Sequence, residues 1–242
     1  MDAIKIEGLT KKYRDVVAVD GLTLSVAEGE LLSLLGVNGA GKTTTIKMLS
    51  CLTSPTEGDA YLLGKSIIRE PIEVKELIAV SPQESDFAPM LSASENLALI
   101  CGIHGFSKEK REAKIAELTA LLDLGSILDR PAGKLSGGWQ RRLSIAMALI
   151  SEPKVLFLDE PTLGLDVLAR AELWEIIRAL KGKATVLLTT HYMEEAEQLS
   201  DRIAIMKGGK LLLCDTPTAI KAATGAESIE QAFIHIVKGA DK

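Results

Sequence analysis

Gly36-Val37-Asn38-Gly39-Ala40-Gly41-Lys42-Thr43 decides how the rest of the chain is read. It matches the pattern G-x-x-x-x-G-K-[ST], a loop whose glycines let the backbone curl until successive N–H groups point at one anion. Its surroundings are the ones such a loop needs. Upstream, Leu31-Leu32-Ser33-Leu34-Leu35 is nearly continuous apolar sequence, which suits a strand buried on both faces of a parallel sheet. Downstream, Lys42 to Leu49 has helical character, and a helix starting there adds the positive end of its dipole. Lys42 supplies a point charge for the β- and γ-phosphates of a nucleotide, and the Thr43 hydroxyl is a ligand for Mg²⁺. A glycine-rich turn that binds nothing would have no use for the Lys-Thr pair in this setting.

Outward from the loop the texture alternates. Ile4 to Leu9, Leu22 to Val26 and Glu30 to Leu35 read as short strands, separated by the turn signals Asp20-Gly21 and Glu28-Gly29. Another strand spans Leu77 to Val80. From Leu91 to Ile150 helix formers dominate. Ser107 can cap a helix with Ile115, Leu118, Leu121 and Leu122 at helical spacing, and Trp139, Leu143, Ala146, Met147 and Ile150 form a second stripe. Strand texture returns at Val155 to Leu158, Thr185 to Thr190 and Ile203 to Ile205, with a helix from about Leu168 between the first two. The tail Ile229 to Val237 is a short amphipathic helix. Strands alternating with helices imply right-handed βαβ crossovers, a mainly parallel sheet and an α/β fold with a helical insertion.

Val155-Leu156-Phe157-Leu158-Asp159-Glu160 is an apolar strand that ends in two adjacent carboxylates. In open α/β sheets ligands sit beyond the carboxyl ends of the strands, where this pair lies. Side chains alternate along a strand, so the two acids are expected to point apart and divide two jobs, one at a metal and one at an attacking water.

The whole composition excludes several classes. The 242 residues are 47% hydrophobic and 25% charged, as in an ordinary globular protein, with 28 basic against 33 acidic side chains and a net charge of −5. A broad nucleic-acid footprint needs the opposite sign. No apolar stretch is long enough to cross a bilayer. Acidic Asp2 follows Met1, so no secretory leader is expected, and Cys51, Cys101 and Cys214 read as reduced thiols without a disulfide frame or zinc site. The expectation is a cytosolic protein.

Leu135-Ser136-Gly137-Gly138-Trp139-Gln140-Arg141-Arg142, just upstream of the acidic strand, resembles the signature loop of ATP-binding cassette ATPases. The order of phosphate loop, signature and acidic strand is similar to that of a cassette nucleotide-binding domain over nearly the whole chain. Thr189 to Glu197, Thr-Thr-His-Tyr-Met-Glu-Glu-Ala-Glu, resembles the switch region of bacterial exporter cassettes that act on drugs, lipids or ions beside a separate membrane subunit. The resemblance implies a P-loop NTPase core with a mainly parallel sheet, an N-terminal antiparallel β-subdomain and an inserted helical subdomain. Residues 1–84 and 151–242 would form the RecA-like core with the β-subdomain, and 85–150 the helical signature subdomain of a single domain spanning 1–242.

The resemblance also implies roles. Tyr13 matches the aromatic that stacks on adenine, in preference to the bland reading of a surface tyrosine near a turn. Gly36 to Thr44 (Gly36, Val37, Asn38, Gly39, Ala40, Gly41, Lys42, Thr43 and Thr44) would hold the phosphates of ATP. Thr43, Gln83 and Asp159 would hold Mg²⁺, and Gln83 would also reach the attacking water. Glu160 would activate that water and His191 would fix Glu160. Ser136, Gly137 and Gly138 would offer N–H groups to the γ-phosphate bound by another subunit. Asp166 matches the loop that touches the opposite subunit, and locally it also suits the N-cap of the next helix. Trp139 stands where glutamine is more frequent, and its place on the apolar stripe points to packing. Glu84 to Leu91 would form a hinge groove for a cytoplasmic helix of the membrane subunit, with Phe87 and Met90 as apolar anchors or packed beneath the loop.

Two ATP molecules sandwiched in a head-to-tail dimer follow from that resemblance, the second subunit being another copy or a related ATPase. An integral-membrane permease encoded separately is the expected partner, with this chain peripheral on the cytoplasmic face of the cell membrane and no nucleic acid bound. The compact stretch from Thr43 to Leu135 excludes the long coiled coil of chromosome and repair cassettes, and a single cassette excludes the two-cassette translation factors. An assembly ATPase for iron–sulfur clusters is the nearest rival, and the exporter-like Thr189 to Glu197 segment speaks against it.

Overall fold

The computed structural model describes residues 1–84 and 86–240. A six-stranded sheet forms its centre, in the order β10-β9-β3-β8-β7-β6. Strands β3 (Leu31–Leu35), β6 (Ile78–Ser81), β7 (Val155–Asp159), β8 (Thr185–Thr190) and β9 (Arg202–Lys207) run parallel, and β10 (Lys210–Asp215) closes one edge antiparallel to β9. Every residue of β3, β7 and β8 is buried, as the unbroken apolar runs require.

Alternation along these strands sorts the core into two layers. Leu31, Leu156, Leu158, Val186 and Leu188 face a cluster shared with α5 (Gly137–Leu149) and α6 (Val167–Leu180). Leu32, Leu34, Val155, Phe157 and Leu187 face the other side, toward α1 (Lys42–Leu49) and a second sheet. That second sheet is antiparallel, in the order β2-β1-β4-β5, from β1 (Asp2–Tyr13), β2 (Val16–Ala27), β4 (Glu57–Leu62) and β5 (Lys65–Ser66). The fold is therefore the expected α/β P-loop architecture, with an antiparallel N-terminal sheet beside the mainly parallel one.

Helix α2 (Pro71–Leu77) leads into β6, and the chain then passes through α3 (Ala93–Ile103) and α4 (Lys108–Leu122) before α5. Ser107 caps α4 by accepting from Lys110 N at 3.2 Å, and Ser92 with Glu95 forms a reciprocal capping box on α3. Leu118 and Leu122 of α4 and Leu143, Ala146 and Met147 of α5 are buried together. A third cluster joins Leu35, Ile203 and Ile205 to α7 (Met193–Leu199), α8 (Pro217–Thr224) and α9 (Ile229–Gly239), whose Ile229, Ala232 and Phe233 are buried. Among the described residues no helix is long and apolar enough to cross a membrane.

Candidate functional site

The phosphate loop joins the end of β3 to α1, and its glycines are sterically required at two positions. A Cβ on Gly36 would lie 2.6 Å from the Met206 carbonyl oxygen, and one on Gly41, at φ +102°, would lie 2.5 Å from that of Ala18. Gly36 N donates to Thr190 O at 3.2 Å, so the loop is tied to the end of β8. Helix α1 has no side-chain cap among the described residues, which leaves its first N–H groups for an anion.

Asp159 and Glu160 do part company, but not by the expected strand alternation. Strand β7 ends at Asp159, and Glu160 takes the left-handed conformation at φ 49°, unusual for a residue with a side chain. Asp159 Oδ1 accepts from Thr43 Oγ1 at 3.1 Å and from Thr189 Oγ1 at 2.5 Å. The turn swings Glu160 instead toward the phosphate loop and the switch, where Oε1 lies 3.1 Å from Lys42 Nζ and Oε2 lies 2.8 Å from His191 Nδ1. Lys42 also donates to Gly36 O at 2.7 Å. Lys42 and Glu160 are both buried, so their attraction is poorly screened.

A cavity of about 610 Å³ opens over these groups. Asn38 to Thr44, Gln83, Glu160 and His191 line it, so side chains from four separate sequence segments converge. Asp159 reaches it through Thr43. Tyr13 is exposed and, among the described residues, does not line the cavity; it pairs with Val16 across the β1–β2 turn, and Val16, Val17 and Ala18 do line it. Those three residues, with Leu163 and Gly208, went unnoticed in the sequence. Val16 and Val17 follow Tyr13 closely in the chain, but their exposure beside the loop appears only in the structure.

Ser136, Gly137 and Gly138 do not line this cavity among the described residues. They start α5, where Ser136 is exposed and makes no side-chain cap, unlike Ser92, Ser107, Asp166, Thr216 and Ser228 at other helices. Asp166 is exposed as well and caps α6, accepting from Ala169 N at 2.9 Å. Trp139 packs against the core with the Arg142 guanidinium 4.5 Å from its ring centroid. In the hinge, Phe87 packs against the core while Met90 is 88% exposed, which divides the two expected anchors.

Arg141 is a residue the sequence did not mark out. It is buried on α5, and its guanidinium donates to the backbone oxygens of Pro161 at 2.8 Å, Asp159 at 2.8 Å, Glu160 at 2.7 Å and Pro82. One side chain thus holds the acidic turn and the residue before Gln83. Burial pulls its pKa below the ordinary value, and the nearby carboxylates Asp86 and Asp159 oppose that shift.

The donor set also fits a Mg²⁺ ion. Thr43 and Asp159 bring two hard oxygens within hydrogen-bond distance of each other beside the phosphate loop. Among the described residues no group of three or more His, Cys, Asp or Glu side chains could hold a metal unaided. Magnesium held by one or two protein oxygens together with substrate phosphates needs no such cage.

A glycine loop at the carboxyl end of a buried parallel strand, a lysine and hydroxyl at its helix start, and an acidic turn facing them define a P-loop nucleoside triphosphatase. Residues 19–163 match the family described as ABC transporter. The chain is 42% identical to the daunorubicin resistance ATP-binding protein DrrA3 of Streptomyces coeruleorubidus, over 94% of this chain and 72% of that protein. It is 41% identical to the Nod factor export ATP-binding protein I of Burkholderia orbicola, over 94% and 75%. A solved ATP binding subunit of an ABC transporter superposes with a TM-score of 0.86 at 28% identity, covering 97% of this chain and 99% of that one. The dimeric cassette MJ0796, solved in a post-hydrolysis state with ADP and Pi, superposes with a TM-score of 0.79 at 27% identity over 88% and 98%. The chain belongs to the ABC transporter family, as one of its ATP-binding, ATP-hydrolysing subunits.

Proposed function

We propose that this chain powers an exporter by binding and hydrolysing ATP between two cassettes, and that Glu160 is the residue that activates water. The division of the Glu160 carboxylate between Lys42 and His191 carries the proposal. Lys42, the loop amides and Thr44 bind the phosphates, and Tyr13 offers its ring to adenine. Thr43, Gln83 and Asp159 would hold Mg²⁺, which would neutralise charge on the β- and γ-phosphates. His191 keeps the Glu160 carboxylate aimed at the water, whose proton Glu160 takes.

Ser136, Gly137 and Gly138 lie off the cavity at an uncapped helix start, which supports their use on the ATP of a second subunit. Asp166 is exposed as a contact to that subunit. Loss of the γ-phosphate removes the contacts joining one signature helix to the other phosphate loop, and the dimer opens. We assign residues 85–150 to a helical arm and the remainder to the core with its β-sheet. A groove of about 540 Å³ between them is lined by Ile72, Lys75, Glu76, Ala79, His104 and Met147, and none of the described residues of the expected hinge Glu84 to Leu91 lines it. Exposed Ile72, Ile103 and Met90 on these segments suit a helix of a separate membrane permease, which would hold the chain at the cytoplasmic face. The export relatives support outward transport.

Glu160→Gln tests the central step. The amide keeps the size and a hydrogen-bond acceptor but is far too weak a base, so phosphate release should fall by about 10²- to 10⁴-fold while MgATP still binds. It also removes one negative charge beside the γ-phosphate in each site, which favours the closed dimer. Light scattering with MgATP should show a dimer that the wild type only visits. Hydrolysis at the wild-type rate would end the assignment of Glu160.

A further inference from the structure

The switch histidine is held from behind as well as from the front. Its ring centroid lies 4.1 Å from that of Tyr192, with the planes inclined at 39°. The Arg170 guanidinium carbon lies in turn 4.6 Å from the Tyr192 centroid. Arg170 Nε is buried and has no hydrogen-bond partner among the described residues, so the tyrosine face is the contact that steadies this end of the side chain. Arg170 stands in the first turn of α6, where its own N–H donates to Asp166 O at 3.0 Å and the Asp166 carboxylate caps the same turn. An unbroken series of contacts therefore runs from Asp166 through Arg170 and Tyr192 to His191, and from His191 to Glu160 at 2.8 Å.

Helices α6 and α7 are locked together beneath this series. Glu195, fully buried one turn after Tyr192, accepts from Trp174 Nε1 of α6 at 3.2 Å. A displacement of the first turn of α6 thus cannot be absorbed by α6 sliding freely over α7. It reaches the stack.

We propose that Arg170 and Tyr192 are positioning residues that set the His191 imidazole according to the position of the Asp166 loop. The inference rests on the assignment of Asp166 to the subunit contact and of His191 to Glu160. Seating a second subunit against Asp166 would then align His191 and Glu160, so that water is activated when the site is complete. Tyr192 acts through its ring, and Arg170 through its cation, and neither is among the described residues lining the phosphate cavity.

The test uses the full chain, MgATP and the histidine proton resonances, of which three histidines make assignment direct. Tyr192→Leu and Arg170→Met should each lower kcat by about tenfold with KM for ATP changed less than about twofold, since a stacked cation–π contact is worth roughly that factor. Both should move the His191 ring resonances and leave those of His104 and His235 in place. Tyr192→Phe and Arg170→Lys, which keep the ring and the cation, should restore kcat and the resonances. Asp166→Ala should move the His191 resonances too. Circular dichroism separates misfolding from these effects, and Arg170→Met, on a partly exposed side chain, is the variant least exposed to it. Unmoved His191 resonances in Tyr192→Leu and Arg170→Met, or a Tyr192→Phe as slow as Tyr192→Leu, would overturn the proposal. His191→Ala run alongside keeps the two assignments apart: full activity there sinks the role of His191 in hydrolysis, while the resonances still decide whether the stack positions it.

Discussion

Arg141→Met should both unfasten the acidic turn and lower the melting temperature. The guanidinium donates four hydrogen bonds to backbone carbonyls of Pro82, Asp159, Glu160 and Pro161 from a buried position. Hydrogen bonds to a charged group contribute about 1.5–3 kcal/mol each. They do not add, because burying the cation costs part of that gain and one side chain makes all four. Removing one partner from a buried charged network costs about 3–5 kcal/mol, and that figure is the one to use. For a chain of this size each kcal/mol lowers the melting temperature by about 2–4 °C, so a fall of about 6–20 °C is expected. Glu160 sits in a left-handed turn that the contacts at Asp159, Glu160 and Pro161 hold, so kcat should fall more steeply than KM rises. Arg141→Lys keeps the charge but loses the planar fork, and should recover only part of both losses. Scanning calorimetry and phosphate release measure the two effects. A methionine variant that melts within about 2 °C of the wild type and turns over normally would refute the role given to this side chain.

Three further outcomes follow from the same contacts. Lys42→Ala should weaken MgATP binding by about 10- to 150-fold, the worth of one charge-assisted phosphate contact, and stop turnover; unchanged calorimetric affinity would contradict the loop assignment. Burial holds the Glu195 carboxyl above its ordinary pKa, against the pull of the hydrogen bond from Trp174. A raised folded value stabilises fully below the unfolded value of about 4.3 and is lost as pH rises through the folded one, so Glu195→Gln should melt progressively higher than the wild type as pH climbs. A difference in melting temperature that is the same at every pH would sink that expectation. Met90→Ser should leave ATP hydrolysis by the isolated chain unaltered and reduce transport in the assembled complex, and coupling that survives intact would remove Met90 from the permease contact.

What could be read without coordinates was whatever the chain carries in consecutive residues. Gly36 to Thr43 brings its own conformational freedom, cation and hydroxyl, and the apolar run before it can only be a buried strand. Ser107 as a helix cap and the stripes of α4 and α5 are likewise local, since a helix buries residues three and four apart. Helix α3 and strand β4 were not read: the Ser92–Glu95 box emerges as the cap of α3 in the structure, and Glu57-Gly58-Asp59 hides a strand whose stability comes from pairing with β1. The motif order along the chain was enough to name a nucleotide-hydrolysing cassette.

Tertiary structure alone decided which groups face each other. Thr43 and Asp159 are 116 residues apart and meet because β3 and β7 flank β8 in the parallel sheet. The same strand order brings Lys42 to Glu160, and the left-handed turn after Asp159, invisible in a Glu codeword, aims that carboxylate. Arg141 looks like any basic residue on a helix until α5 packs behind β7 and its fork finds four carbonyls. Arg170 and Tyr192, similarly, acquire a relation to His191 only through the packing of α6 on α7. Conformational preference and helix or strand period act within a few residues, so sequence determines them directly. Electrostatic and stacking partners depend on strand order and helix packing, which place distant residues in contact by the burial of a shared core.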